Sequence, residues 1–193
     1  MQNILLKTLF FCILLSSCSS VDVEDLNRGS HVRDEDYEKI ANGVTYRVEQ
    51  QLKKELGLRC VGTGGGMMNN IRRMSMSFQL FREIDLPEAR RILVSATSEY
   101  LNAINDSKRL RPYLKEYPFT VKNVEIMIWI RKANNRDIDP NKINFMCSNK
   151  GILRYDLSDE PGTYLDRELC TETYEEALKI IQAEDAVNSN KAS

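Results

Sequence analysis

The residues of this 193-residue chain that could carry out chemistry are its carboxylates, its cysteines and one histidine. His31 lies in a polar segment without hydrophobic periodicity, so Ser-His-Asp and Cys-His mechanisms lack a well-placed base. Two carboxylates could still hydrolyse a glycoside, and the acidic residues available for this are Glu125, Asp137, Asp139, Asp156, Asp159 and Glu160. Acidic residues are common on every protein surface, so the sequence favours a non-enzymatic role over a carboxylate-dependent hydrolase.

The cysteines bear on metal and disulfide chemistry. With no CxxC motif and one histidine, the chain lacks the four ligands of a structural zinc site, and we expect neither a metal nor another cofactor. In an oxidising compartment a disulfide is possible, with Cys147 and Cys170 as the candidate pair, but the apolar surroundings of the cysteines slightly favour buried free thiols.

A glycine-rich segment is the first candidate binding loop. Gly62, Gly64, Gly65 and Gly66 lie within five residues, and exposed backbone N–H groups in such a run can form an anion-binding nest. The segment matches neither GxxxxGK[ST] nor GxGxxG, and a strand pattern rather than a helix follows it. A flexible loop or a glycine-rich hairpin is therefore favoured over a phosphate-binding motif.

A basic segment is the second candidate. Residues 108–115 contain four cations together with Arg111-Pro112-Tyr113, and such a cluster could meet lipid headgroups or an anionic polymer. Alternatively, these cations lie close to a helix C-terminus, where the helix dipole stabilises them. We take Arg109, Arg111 and Tyr113 as candidate binding residues, together with Trp129 on the semi-apolar face of a predicted strand.

Hydrophobic periodicity predicts the elements that must position these residues. Apolar residues at helical spacing predict helices over 34–56, over 86–105 after the Asp85 cap, and from 174 onward after the Thr173 cap. Alternating patterns predict strands over 73–80 and 123–130, a hairpin over 143–157, and a short edge strand over 164–170. The sequence therefore predicts an α+β domain: an antiparallel sheet of about four strands, with two to three helices packed on one face.

The N-terminus has the layout of an export signal. Lys7 precedes the apolar run from Leu9 to Leu15, which is shorter than the about 20 residues that a membrane span needs. The sequence Leu15-Ser16-Ser17-Cys18 that follows resembles the lipobox of bacterial lipoproteins. The resemblance covers residues 1–18 and implies cleavage between Ser17 and Cys18, followed by acylation of Cys18, which anchors the chain in a lipid bilayer.

This resemblance sets the expected domain organisation and location. Residues 1–17 would be a signal peptide, 18–33 a lipidated cysteine and flexible tether, 34–184 a single domain and 185–193 a disordered tail. Ser19 in place of aspartate after the cysteine favours the outer membrane of the cell envelope, facing the periplasm or the cell surface. Removal of Lys7 changes the net charge from −1 to −2, which lacks the basic footprint of a nucleic-acid-binding protein.

The sequence thus predicts a membrane-anchored lipoprotein with a non-enzymatic role in the cell envelope, either structural or through interaction with an envelope partner. The alternative is a module that binds a small ligand or an envelope polymer, through the glycine loop, the basic loop and Trp129.

Overall fold

Three helices and a six-stranded sheet make up the part of the chain that a computed structural model describes, residues 23–159 and 166–191. Side chains are described for residues 37–159 and 167–190. In chain order the elements are α1 (Val23–Leu56), β1 (Arg59–Gly66), β2 (Arg73–Leu80), α2 (Leu86–Asp106), β3 (Val124–Ile130), β4 (Ile143–Asn149), β5 (Ile152–Ser158), β6 (Asp166–Thr173) and α3 (Tyr174–Lys191).

The strands lie side by side in the order in which they occur in the chain. All neighbours are antiparallel except β2 and β3, which are parallel. The parallel pair arises because α2 carries the chain back to the end of the sheet at which β2 began. The α+β class is confirmed, but the sheet has six strands rather than about four, and it is mixed rather than antiparallel.

Helix α1 is longer than the sequence pattern predicts. It begins at Val23, eleven residues before the predicted start, so part of the segment 18–33 that was expected to be a tether is helical. Its C-terminus agrees with the prediction, because Gly57 adopts φ +70, the left-handed conformation typical of the residue after a helix. The residues that α1 buries in the core are Tyr37, Ala41, Val44, Val48 and Leu52.

Helix α2 is confirmed, and its start is fixed by local chemistry. The Asp85 carboxylate accepts a hydrogen bond from the backbone N–H of Glu88 at 2.9 Å, and Pro87 occupies the first turn. This helix lies between α1 and α3 and packs on the middle of the sheet. Its Tyr100 hydroxyl lies 2.9 Å from the Thr45 hydroxyl of α1, and both groups are buried.

The three helices share one core with one face of the sheet. Alternate residues of the central strands are fully buried there, as the period of two in their sequences predicts. Each buried aliphatic or aromatic side chain contributes about 1.5–3 kcal/mol relative to exposure. The residues that β2 and β3 supply to this core are Met74, Met76, Phe78, Leu80, Val124, Ile126, Ile128 and Ile130.

The predicted hairpin between β4 and β5 is also confirmed. Its two-residue loop has positive φ at both positions, 52° at Lys150 and 80° at Gly151. This is the type I′ geometry that matches the twist of antiparallel strands.

Helix α3 begins with the predicted cap. The Thr173 hydroxyl accepts the N–H of Glu176 at 3.2 Å, while the Glu176 carboxylate accepts the N–H of Thr173 at 2.8 Å. These hydrogen bonds lower the pKa of Glu176. The helix continues to Lys191, through most of the segment 185–193 that was expected to be a tail.

Candidate functional site

The face of the sheet opposite the helices is the most extensive candidate site, and we call it the open face. No helix within the described ranges packs on it, because α1, α2 and α3 all contribute to the core on the other side. Its central side chains are half-buried, in contrast to the fully buried residues between them. They are Ser75, Ser77 and Gln79 of β2, Glu125, Met127 and Trp129 of β3, and Phe145, Cys147 and Asn149 of β4.

Aromatic side chains lie at the centre of the open face. Trp129 and Phe145 are direct cross-strand partners, and their ring centroids are 5.4 Å apart at an interplanar angle of 51°. This tilted arrangement is favourable for aromatic pairs. Met127 and Cys147 form the next cross-strand pair, so four adjacent positions present a semi-apolar surface.

Charges on the open face are paired with one another. Arg73 Nε lies 3.6 Å from Glu125. Arg154 donates two hydrogen bonds to Asp156, at 2.8 and 2.6 Å, and this carboxylate is fully buried beneath the guanidinium. Arg59, at the edge of the face, instead donates to the Gln79 side chain and lies over the Phe81 ring. Most of the charge on the face is therefore balanced locally, which weakens its attraction for a polyanion.

The four glycines predicted as a loop lie in strand β1, at the edge of the sheet. None of them has the left-handed φ that an alternating nest requires. The glycine-rich hairpin is therefore the correct alternative, and the flexible loop is wrong. Gly65 has a structural role, because a Cβ built there would lie 2.3 Å from the carbonyl oxygen of Arg73.

The candidate side chains of the basic segment lie in different environments. The Arg111 guanidinium lies over the Tyr117 ring at 4.1 Å, and the Tyr113 ring packs against Tyr37 of α1 at 5.5 Å. Arg109 lines a cavity between α1 and the end of α2. The structure thus brings neither the glycine strand nor Trp129 together with Arg109.

The cavity beside Arg109 was not recognised in the sequence. It has a volume of about 280 Å³ and is lined by Lys39, Ile40, Gly43, Val44, Arg47, Ser107 and Arg109. The signal that could have found it is the spacing of Lys39, Gly43 and Arg47, since residues four apart share one side of a helix.

Cys147 and Cys170 are free thiols, so the structure has the alternative without a disulfide. Strand β5 lies between β4 and β6, so their backbones are about two strand spacings apart, roughly 9.6 Å, beyond the reach of a disulfide. Cys147 is on the open face, whereas Cys170 packs against the core. Burial raises the pKa of the Cys60, Cys147 and Cys170 thiols, which disfavours the nucleophilic thiolate.

The acidic candidates do not form an evident catalytic pair among the described residues. Asp137 and Asp139 line a cavity of about 390 Å³ in the loop between β3 and β4. Each is held by a cation of that region, Asp137 by Arg131 and Asp139 by Lys132. Asp159 lies 3.8 Å from Arg167, and Glu160 lies outside the described residues.

Metal sites and membrane-spanning helices are both absent from residues 23–159 and 166–191. Within that part, no group of three or more His, Cys, Asp or Glu side chains is placed to hold a metal ion. None of the helices described there combines the length and the apolar character needed to cross a bilayer. Ser17 and Cys18, the predicted cleavage and lipidation residues, lie outside the described residues.

The fold and the open face together define a two-layer α+β protein, with helices on one side of a mixed sheet and a semi-apolar surface on the other. Comparison of the chain with protein-family models, with curated proteins and with solved structures finds no match.

Proposed function

We propose that the chain is a lipid-anchored, non-enzymatic protein of a bacterial envelope that docks a partner protein on its open face. The observation that carries this proposal is the Trp129–Phe145 pair, which is only partly buried at the centre of a sheet face that no described helix covers. Aromatic side chains that are grouped in this way and remain accessible are typical of interaction surfaces rather than of solvated sheet faces.

The composition of the open face favours a protein as the occupant. Trp, Phe, Met and Arg are enriched in protein interfaces and lysine is depleted. The face presents Trp129, Phe145, Met127 and Arg154, and its nine central side chains include no lysine. Two of its cations, Arg73 and Arg154, are paired with carboxylates, which leaves few free charges for an anionic envelope polymer.

The size of the open face sets the expected strength of docking. Six strands span about 24 Å across, and seven residues extend roughly 20 Å along each strand. That area is about 480 Å² on this protein, or about 1,000 Å² counting both partners, which lies at the low end of specific interfaces. We therefore expect a reversible complex, in which Trp129 supplies much of the binding free energy.

Lipidation of Cys18 places this surface at a membrane, as the lipobox resemblance implies. Each buried CH₂ of an acyl chain contributes about 0.8 kcal/mol, so two or three chains on Cys18 hold the protein durably in the bilayer. Ser19 favours the outer membrane. A partner that is restricted to the same envelope meets the open face at high effective concentration, which suits a small interface.

Site-specific photo-crosslinking in the producing cells tests the docking surface. A benzophenone amino acid in place of Phe145 should give one discrete adduct with another protein. The matched control replaces Tyr46, which is 62% exposed on α1, and should not give that adduct. Ser77→Arg should abolish the adduct, because it adds a charged side chain to the open face without touching the core.

Other adducts would contradict the proposal. An adduct with only a second copy of the chain would assign the face to self-association, and one with a glycan would assign it to polymer binding. The same adducts from positions 145 and 46 would show collision rather than docking.

Intact mass of the membrane-extracted protein tests the anchor separately. The wild type should have the mass of residues 18–193 plus acyl chains, and Cys18→Ala should lack the acyl mass. An unmodified wild-type mass would refute lipidation and leave the docking surface to be judged on crosslinking alone.

A further inference from the structure

A basic cavity lies between α1 and the segment that follows α2. Its lining residues come from parts of the chain other than the strands of the open face. One wall is α1, which contributes Lys39, Gly43 and Arg47 along one side. The other wall comes from Ser107 and Arg109, just after the last residue of α2. The space between the two walls has a volume of about 280 Å³ and is open to solvent on one side.

Glycine opens the middle of this cavity. A Cβ built on Gly43 would meet no atom within 4 Å, so the space above the helix backbone there is empty. Lys39 and Arg47 lie one turn away on either side of Gly43, and their charged ends can therefore approach a group that sits over it. Ile40 and Val44 add an apolar surface beside this position.

The electrostatic balance of the cavity favours an anion. Arg47 and Arg109 line it, and no carboxylate is among the lining residues. The C-terminus of α2 opposes them with about half a negative charge, so a net positive charge remains. Asp106 is exposed and is not part of the lining. Within the described part of the chain, neither Arg47 nor Arg109 forms an ion pair.

We propose that this cavity binds the phosphate group of a small phosphate ester. Arginine presents a planar fork of donors that matches two phosphate oxygens, and the Ser107 hydroxyl offers a further donor. The volume is just below the about 300–1,000 Å³ typical of drug-sized ligands. The ligand that this lining fits is a phosphate with a small organic group against Ile40 and Val44.

Two sources can supply such a group, a soluble phosphate ester and a phospholipid headgroup. Titration calorimetry on the detergent-extracted full chain distinguishes them with two probes, glycerol 3-phosphate and short-chain dihexanoyl phosphatidylglycerol, at constant ionic strength. Saturable binding of the first alone assigns a soluble ester, and binding of the second alone assigns a headgroup. Binding of both assigns recognition of the phosphate irrespective of its source.

Substitutions test whether the cavity is the site. Arg47→Gln and Arg109→Gln should each weaken binding about tenfold or more, since each removes charge-assisted hydrogen bonds. Arg47→Lys, which keeps the charge but loses the fork, should weaken binding less than Arg47→Gln. The control is Lys54→Gln on the exposed side of α1, which removes the same charge outside the cavity and should leave affinity unchanged.

Two results would overturn the proposal. One is the absence of saturable binding by the wild-type chain to both probes. The other is equal weakening by Lys54→Gln and Arg47→Gln, which would indicate non-specific attraction. Urea unfolding of each variant separates loss of binding from loss of the fold, and Arg47→Lys keeps the test valid if a glutamine variant unfolds.

Discussion

The Nε of Arg90 and the Oε1 of Glu172 lie 2.8 Å apart, with both side chains 8% exposed. Arg90 belongs to α2 and Glu172 to β6, so this ion pair joins the central helix to an edge strand. Moving two charges out of water is costly, and their attraction offsets that cost only while both are present. Replacing either residue should therefore weaken the packing of α2 on the sheet.

Glu172→Gln should lower the free energy of unfolding by about 3–5 kcal/mol, because it leaves the Arg90 charge buried and uncompensated. Urea unfolding followed by far-UV circular dichroism measures the change. The control is Glu168→Gln on the same strand, where the side chain is exposed and the expected change is within about 0.5 kcal/mol. A decrease below about 1 kcal/mol for Glu172→Gln would show that the pair is not important for stability.

Two glycines of β1 should respond differently to alanine. A Cβ at Gly65 would lie 2.3 Å from the Arg73 carbonyl oxygen, so the hairpin must shift, whereas a Cβ at Gly62 would make an ordinary 3.8 Å contact with Ser77 Cβ. Gly65→Ala should destabilise the protein by about 1–3 kcal/mol. Gly62→Ala should be neutral or stabilise it by up to about 1 kcal/mol, because alanine restricts the unfolded chain.

Thermal unfolding of the two variants beside the wild type measures this difference. Equal melting temperatures for Gly65→Ala and Gly62→Ala would contradict the close approach of β1 to β2 at Gly65.

The parts of the fold that the sequence predicted are those with local causes. The Asp85 cap of α2, the Thr173 cap of α3 and the Lys150-Gly151 turn each depend on residues within a few positions of one another. For β1 the sequence leaves a flexible loop and a hairpin strand undecided, because glycine has low strand propensity and the pairing with β2 is what orders the segment. That pairing is tertiary and leaves no periodic signal in residues 59–66.

The candidate sites were less predictable than the fold. Trp129 was identified from its strand pattern, but its partner Phe145 depends on the register of β3 with β4. Arg109 was identified from the local charge cluster, whereas Arg47, about 60 residues earlier, shares its cavity only because α1 packs beside α2. The spacing of residues within one element could therefore be predicted from the sequence, whereas the contacts between two elements could not.

The three cysteines of the described residues should remain thiols in the folded protein. Alkylation of the denatured, unreduced chain should modify Cys60, Cys147 and Cys170 completely, as measured by peptide mass. Burial raises the pKa of each thiol, so the folded protein should react more slowly at neutral pH than the denatured one. A linked Cys147–Cys170 peptide pair that disappears on reduction would contradict the open-face position of Cys147.

Alkaline pH should weaken the contact between α1 and α2 through Tyr100. Burial raises the pKa of Tyr100 to about 12, against an ordinary value near 10, while its hydrogen bond with Thr45 acts in the opposite direction. Between these two values the unfolded chain has released the tyrosine proton and the folded chain still holds it, so stability falls as pH rises. At pH 11 the loss from this residue is roughly 1.4 kcal/mol relative to pH 9.

Tyr100→Phe isolates this contribution. At pH 8 the variant should be less stable by about 1 kcal/mol, because it removes the buried hydrogen bond to Thr45. Between pH 9 and 11 its stability should fall less steeply than that of the wild type, since phenylalanine has no proton to release. Tyr155, whose pKa burial also raises, remains in both proteins and contributes equally to both slopes. Parallel urea titrations at pH 8, 9, 10 and 11 measure the difference, and identical slopes for the two proteins would show that Tyr100 does not titrate as its burial requires.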